Sequence, residues 1–111
     1  MEIEEFQKFV TEFKTARGWH KHHEPKDLLL GLVEEIGEFR NLIKWEQDAA
    51  VIKRIVTDKT DKKTRDEVVN FFGDALWLVS SLAEYCEVDL REAMDLLKTE
   101  FEVRFPVEGG K

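Results

Sequence analysis

The sequence predicts an all-α fold, an antiparallel four-helix bundle, and three observations carry that expectation. Apolar residues recur every three or four positions through most of the chain, the spacing that gathers side chains onto one face of a helix turning roughly 100° per residue. Two capping signals, Thr64-Arg65-Asp66-Glu67 and Asp89-Leu90-Arg91-Glu92, mark helix starts. Only two prolines and six glycines are present, so little interrupts long helices. The 111 residues suit one domain, residues 1–111, with a single core. Modest connections between successive helices make antiparallel neighbours the simplest packing.

Residues 2 to 16 place Ile3, Phe6, Phe9, Val10 and Phe13 at helical spacing, with Arg17-Gly18 as the stop. Trp19 to Glu24 has no usable period and reads as a loop, after which Pro25 opens a helix where its missing N–H costs nothing. The stretch Leu28 to Trp45 is expected to be one long helix with Leu29, Leu32, Val33, Ile36, Phe39 and Ile43 facing a core. Glu46 to Val56 forms a short helix, and the polar run Thr57 to Lys63 a mobile loop. From Thr64 a helix runs to about Cys86, burying Val68, Phe71, Phe72, Ala75, Leu78, Val79 and Leu82, with Cys86 itself on the apolar side. From Asp89 a last helix runs through Met94, Leu97 and Phe101 until Pro106 forbids continuation.

Within Leu28–Trp45 the carboxylates are out of character. On the helical wheel Glu35 falls between Leu28 and Leu42, inside the margin of the apolar arc, with Glu38 and Glu34 further round. Carboxylates three or four apart on a helix repel, more strongly near a core, so a positive charge belongs between them. Oxygen-only donors suit Mg²⁺ or Mn²⁺. The plain alternative, a solvated acidic face, leaves the placement of Glu35 unexplained, and Asp74 repeats the anomaly at the edge of the later apolar stripe. The loop histidines His20, His22 and His23 match no compact ligand set, and Trp19 beside them either caps the core or walls a flat pocket.

A formal net charge of −7 without a basic stripe argues against a nucleic acid polymer held through its phosphate backbone, while leaving open a nucleotide held through a metal. One cysteine rules out an internal disulfide framework. No run of ~18 apolar residues points to a membrane, and the acidic MEIEEFQKFV lacks the pattern of a signal peptide, so the expected location is cytoplasmic. Phe6, Phe9, Phe13, Phe71, Phe72, Phe101 and Phe105, seven of the eight phenylalanines, are more bulk than a small bundle easily encloses, and a second subunit is expected to cover some of them.

Glu34-Glu35-Ile36-Gly37-Glu38 and Gly73-Asp74-Ala75-Leu76-Trp77, on two helices, resemble the MazG-like all-α nucleoside triphosphate pyrophosphohydrolases. Arg17-Gly18-Trp19, His23-Glu24-Pro25-Lys26-Asp27-Leu28, Lys44-Trp45, Val88-Asp89-Leu90 and Arg104-Phe105-Pro106 look most like the dCTP pyrophosphatase branch. The resemblance implies hydrolysis of a nucleoside triphosphate to monophosphate and pyrophosphate. It implies Glu35, Glu38 and Asp74 as Mg²⁺ ligands, Glu34 as a further ligand or the base orienting water, and Trp19, His23 and Trp45 as the base pocket. On a continuous helix Trp45 lies within about 40° of Glu38, so base and phosphate contacts share a cleft. A homodimer or homotetramer is implied as well.

Departures from the family pattern are equally specific. Phe71 stands where the E-x-x-D acid belongs, and Leu97 and Phe101 stand where a phosphate-facing Lys and Asn belong, with Lys98 one place out of step. Asn70, one turn before Asp74, offers a neutral carbonyl oxygen instead. Glu67 is a poor substitute, about 10 Å along the helix from Asp74 and engaged in the capping box. Two function classes therefore stand side by side, a Mg²⁺-dependent nucleotide pyrophosphohydrolase and a catalytically silent nucleotide-binding or oligomeric interaction module.

Overall fold

The computed structural model describes residues 1–21 and 24–107. It is all-helical: α1 Ile3–Ala16, a 3₁₀ turn Trp19–Lys21, α2 Pro25–Asn41, α3 Ala49–Thr57, α4 Lys62–Tyr85 and α5 Leu90–Arg104, with no strand among the described residues. No helix among them is long and apolar enough to cross a membrane. The described residues gather in two compact units, one within Met1–His22 and Ser80–Lys111, the other within His23–Val79.

In the first unit α1 ends as its sequence dictates. The Arg17 and Gly18 amides bond back to Lys14 and Thr15 at 3.2 and 3.1 Å, and Gly18 takes φ +70°, open to glycine at little cost. Val10 and Ala83 form the apolar centre, and Lys14 is buried with them. A buried ammonium needs a partner, and the Glu84 carboxylate supplies one at 3.5 Å while also accepting a hydrogen bond from Thr11. Gln7 fastens α1 to the start of α5, accepting from the Leu90 amide at 2.9 Å and donating to the Val88 carbonyl at 3.3 Å. Arg91 adds ion pairs to Glu2 and Glu4.

Asp89 caps α5 as expected, accepting from the Arg91 amide at 2.9 Å. The end of α4 carries a signal that no glycine announces. The Val88 amide bonds the Ala83 carbonyl at 2.8 Å and the Glu87 amide bonds Glu84 at 3.1 Å, the paired bonds of a Schellman stop, with Glu87 in the left-handed position at φ 56°. A side chain there costs about 1–2 kcal/mol, part of which glycine returns as unfolded-state entropy. Glu87→Gly is thus expected to stabilise the chain by roughly 0.5–1 kcal/mol, read as a rise of a few degrees in Tm.

In the second unit three readings are corrected. α2 stops at Asn41 instead of running to Trp45; the Leu42, Ile43 and Glu46 amides bond three residues back, tightening the chain into turns. α3 starts at Ala49, capped by the Asp48 carboxylate, which accepts from the Ala50 and Val51 amides at 2.8 and 3.4 Å. α4 starts two residues early because Asp61, not Thr64, is its cap. The Asp61 carboxylate accepts from the Thr64 amide and hydroxyl at 3.2 and 3.1 Å, and its carbonyl accepts from the Arg65 amide at 2.9 Å. Glu67 is thereby released from the capping box. The preceding loop is held by Asp58, whose carboxylate accepts from the Thr60 amide and hydroxyl at 2.8 and 2.6 Å.

The buried faces are corrected too. On α2 Leu28 is buried and Leu32 and Phe39 are partly covered, as is Ile43 in the turn that follows, whereas Leu29, Val33 and Ile36 are about half exposed or more. On α4 Val68 is buried and Phe71, Ala75, Leu78 and Leu82 are partly covered, whereas Val69, Phe72, Leu76 and Val79 form an exposed apolar row. Met94, Leu97 and Phe101 are exposed on α5, and so is Cys86. α2 and α4 each turn one part of their apolar arc inward and leave the rest uncovered, whereas α5 is exposed from Arg91 to Arg104.

Candidate functional site

The second unit holds a cavity of about 500 Å³ between α2 and α4. α2 contributes Glu35 and Glu38, and α4 contributes Glu67, Asn70 and Asp74; the apolar wall is Phe39, Leu42 and Phe71. Opposite numbering brings them together. Gly31 of α2 meets Leu78 of α4, and eight residues on Phe39 meets Phe71, ring centroids 4.8 Å apart, so the helices run antiparallel with Glu35 level with Asp74.

Glu35 is partly covered, while Glu38 and Asp74 are exposed at the cavity mouth. Burial pushes the Glu35 carboxyl above the usual carboxylate range, and the charges of Asp74, Glu38 and Glu34 push it the same way. Glu35, losing water beside the charges of Glu38 and Asp74 in one cavity, forms with them a donor set that a hard divalent cation would relieve. Among the described residues no three His, Cys, Asp or Glu side chains are yet gathered tightly enough to hold a metal ion, so ligation requires the carboxylates to swing inward. Donor chemistry fits Mg²⁺ or Mn²⁺; Asn70 lines the same cavity and adds its amide oxygen.

Other expected site residues are distributed differently. Glu34 is exposed and does not line the cavity, although its charge reaches Glu35. Glu67 does line it, although the sequence places it about 10 Å along the helix from Asp74 and within a capping box. Trp45, carried on the turn after α2, is 85% exposed, with the Lys44 ammonium 5.2 Å from its ring, and is not part of the cavity lining. Its wheel position beside Glu38 is lost because α2 ends at Asn41. Trp19 belongs to the other unit, packed edge-on against Phe13 with centroids 5.5 Å apart. His23 lies outside the described residues. Leu97 and Phe101 are exposed on α5, and Lys98 pairs with Glu102.

No family model matches the chain. Among curated proteins, dCTP pyrophosphatase 1 of Rattus norvegicus is 31% identical over 105 residues, 95% of this chain and 59% of that protein. The same-named protein of Homo sapiens is 31% identical over 88 residues, 79% of this chain and 49% of that protein. The MazG-like resemblance is borne out, at modest identity. The chain spans about three fifths or less of the length of these relatives. The crystal structure of a pyrophosphatase from Archaeoglobus fulgidus superposes with a TM-score of 0.77, covering 94% of this chain and 92% of that one at 24% identity, a likeness of fold.

Proposed function

We propose that the chain is a divalent-metal-dependent nucleoside triphosphate pyrophosphohydrolase, with Mg²⁺ the first cation and Mn²⁺ an effective substitute. The observation that carries the reading is the shared cavity of Glu35, Glu38 and Asp74, with Glu35 held above its ordinary pKa by burial and by those neighbours. The relatives are named for dCTP, and a pyrimidine deoxynucleotide is accordingly the first substrate to test.

In this proposal Glu35, Glu38 and Asp74 hold the cation and Asn70 supports it through a neutral oxygen. A bound Mg²⁺ would neutralise triphosphate charge and acidify a coordinated water. Glu67, which lines the cavity, takes over the water-orienting role that the sequence reading gave to Glu34. Its carboxylate accepts the proton of a water whose oxygen bonds to the α-phosphorus, as the bond from that phosphorus to the bridging oxygen breaks and pyrophosphate departs. Trp45, with an open ring face, supplies a stacking surface for the base. Pyrophosphate release from a panel including dCTP, at millimolar Mg²⁺, tests the proposal. Glu67→Gln is expected to lower kcat by about a hundredfold, with Glu34→Gln having the smaller effect.

The second reading, a silent nucleotide-binding or oligomeric module, is favoured by Phe71, an apolar side chain in the cavity wall, and by the exposed Leu97 and Phe101. Nucleotide binding by calorimetry without pyrophosphate release would select it. Absence of both binding and release would leave a structural role.

A further inference from the structure

The contacts between α2 and α4 differ in bulk on either side of the carboxylates. One turn before Glu35, Gly31 has no side chain, and a Cβ placed there would lie 3.4 Å from a Leu78 methyl. One turn after Glu35, the rings of Phe39 and Phe71 stand 4.8 Å apart, with Phe72 edge-on to Phe71 at 5.1 Å. Separation between packed helices follows the side chains at the contact, so a glycine at one end and two rings in tilted contact at the other fix how far Glu35 and Glu38 stand from Asp74. Phe71 also divides the acids of α4. Glu67, Phe71 and Asp74 follow at intervals of four and three residues, which puts all three on one helix face with the ring in the middle.

We propose that the Phe39–Phe71 ring pair is the positioning element of this cavity: it sets the α2–α4 separation at which Glu35, Glu38 and Asp74 close on one divalent cation, and it keeps Glu67 from completing a second cation site. The inference rests on reading the cavity as a cation site. A packed ring pair cannot be compressed, whereas an alanine in its place lets the helices settle into another spacing or opens a void. Either change spoils the convergence of three oxygens on bonds of roughly 2.1 Å.

Mn²⁺ binding to the full chain, followed by electron paramagnetic resonance and calorimetry, tests this without recourse to activity. The parent is expected to bind one Mn²⁺ per chain. Phe71→Ala and Phe39→Ala are expected to weaken binding by about tenfold or more, the usual effect of losing a group that orients metal ligands. Phe39→Tyr, which keeps the ring, should stay within about threefold of the parent. Ile55→Ala, a comparable truncation on α3, should do so as well and controls for general loosening. If Phe71→Ala does not fold by circular dichroism, Phe71→Leu takes its place. A parent that binds one ion as tightly as its Ala variants overturns the positioning role and leaves the cation reading intact. Two ions per parent chain overturn the single-site inference. A parent that binds no Mn²⁺ at millimolar concentration overturns both.

Discussion

Glu35→Gln is expected to abolish metal-dependent pyrophosphate release while raising the melting temperature of the metal-free protein. The two effects have one cause. Burial, and then the charges of Asp74, Glu38 and Glu34, raise the Glu35 pKa, so ionising it in the folded chain costs more than in the unfolded one. For an acid whose folded pKa is raised, the associated stability is present below the unfolded pKa and is lost as pH rises through the folded one. At neutral pH the ionised side chain is therefore a liability, which the neutral amide removes. With cation bound the sign reverses: saturating a site a hundredfold above its Kd adds about 2.7 kcal/mol, or about 10 °C for a chain of this size. Glu35→Gln should lose most of that increment and at least about a hundredfold in kcat/KM. Thermal scans from pH 4.5 to 8, with and without Mg²⁺, check the claim. A variant that is less stable than the parent at pH 8 without metal, or that keeps its Mg²⁺-induced shift, removes Glu35 from the site.

The legible parts of this chain were those written in local chemistry. Gly18, Pro25, Asp89 and Pro106 each act within a few residues, and the ends they mark are where the helices start or stop. Local signals also compete. Asp61 and Thr64 both offer oxygens to a helix start, and Asp61 wins because it accepts from both the amide and the hydroxyl of Thr64. The cap at Asp61 removes one of the two grounds against Glu67, and its distance from Asp74 along the helix is bridged by the length of the cavity. Beyond Asn41, Leu42 and Ile43 continue the apolar period, but periodicity does not report that the backbone has tightened into turns.

The acid pair was readable because Glu35 on an apolar margin is costly wherever the partner helix lies. Lys14 was not. Its burial depends on Glu84, 70 residues away in sequence, and no spacing on α1 announces an ammonium with a carboxylate waiting. The reading of Leu29, Val33 and Ile36 as core had a related weakness, since periodicity identifies an apolar face without saying which chain covers it.

With these faces covered by a second copy, Val33→Asp combined with Leu76→Asp is expected to leave a monomer and to lower the Tm by about ten degrees or more, at about 4–8 °C per kcal/mol. Leu29, Val33 and Ile36 on α2 and Val69, Phe72 and Leu76 on α4 are apolar side chains about half exposed or more within the second unit. Exposed apolar faces of this kind suit cover by a second copy of the chain. Val33 is 63% exposed and Leu76 50% exposed, and neither lines the acid cavity. In a monomer such positions tolerate substitution within about 0.5 kcal/mol, so two aspartates there would hardly matter. In a buried interface each is an unpaired charge costing several kcal/mol. The size of the effect thus decides between the two states. Sedimentation and light scattering at micromolar concentration should give a homodimer or homotetramer for the parent, with a Tm that rises with protein concentration. A monomeric parent, or a double variant that melts within two degrees of it, would show that these apolar faces are not covered by a second copy.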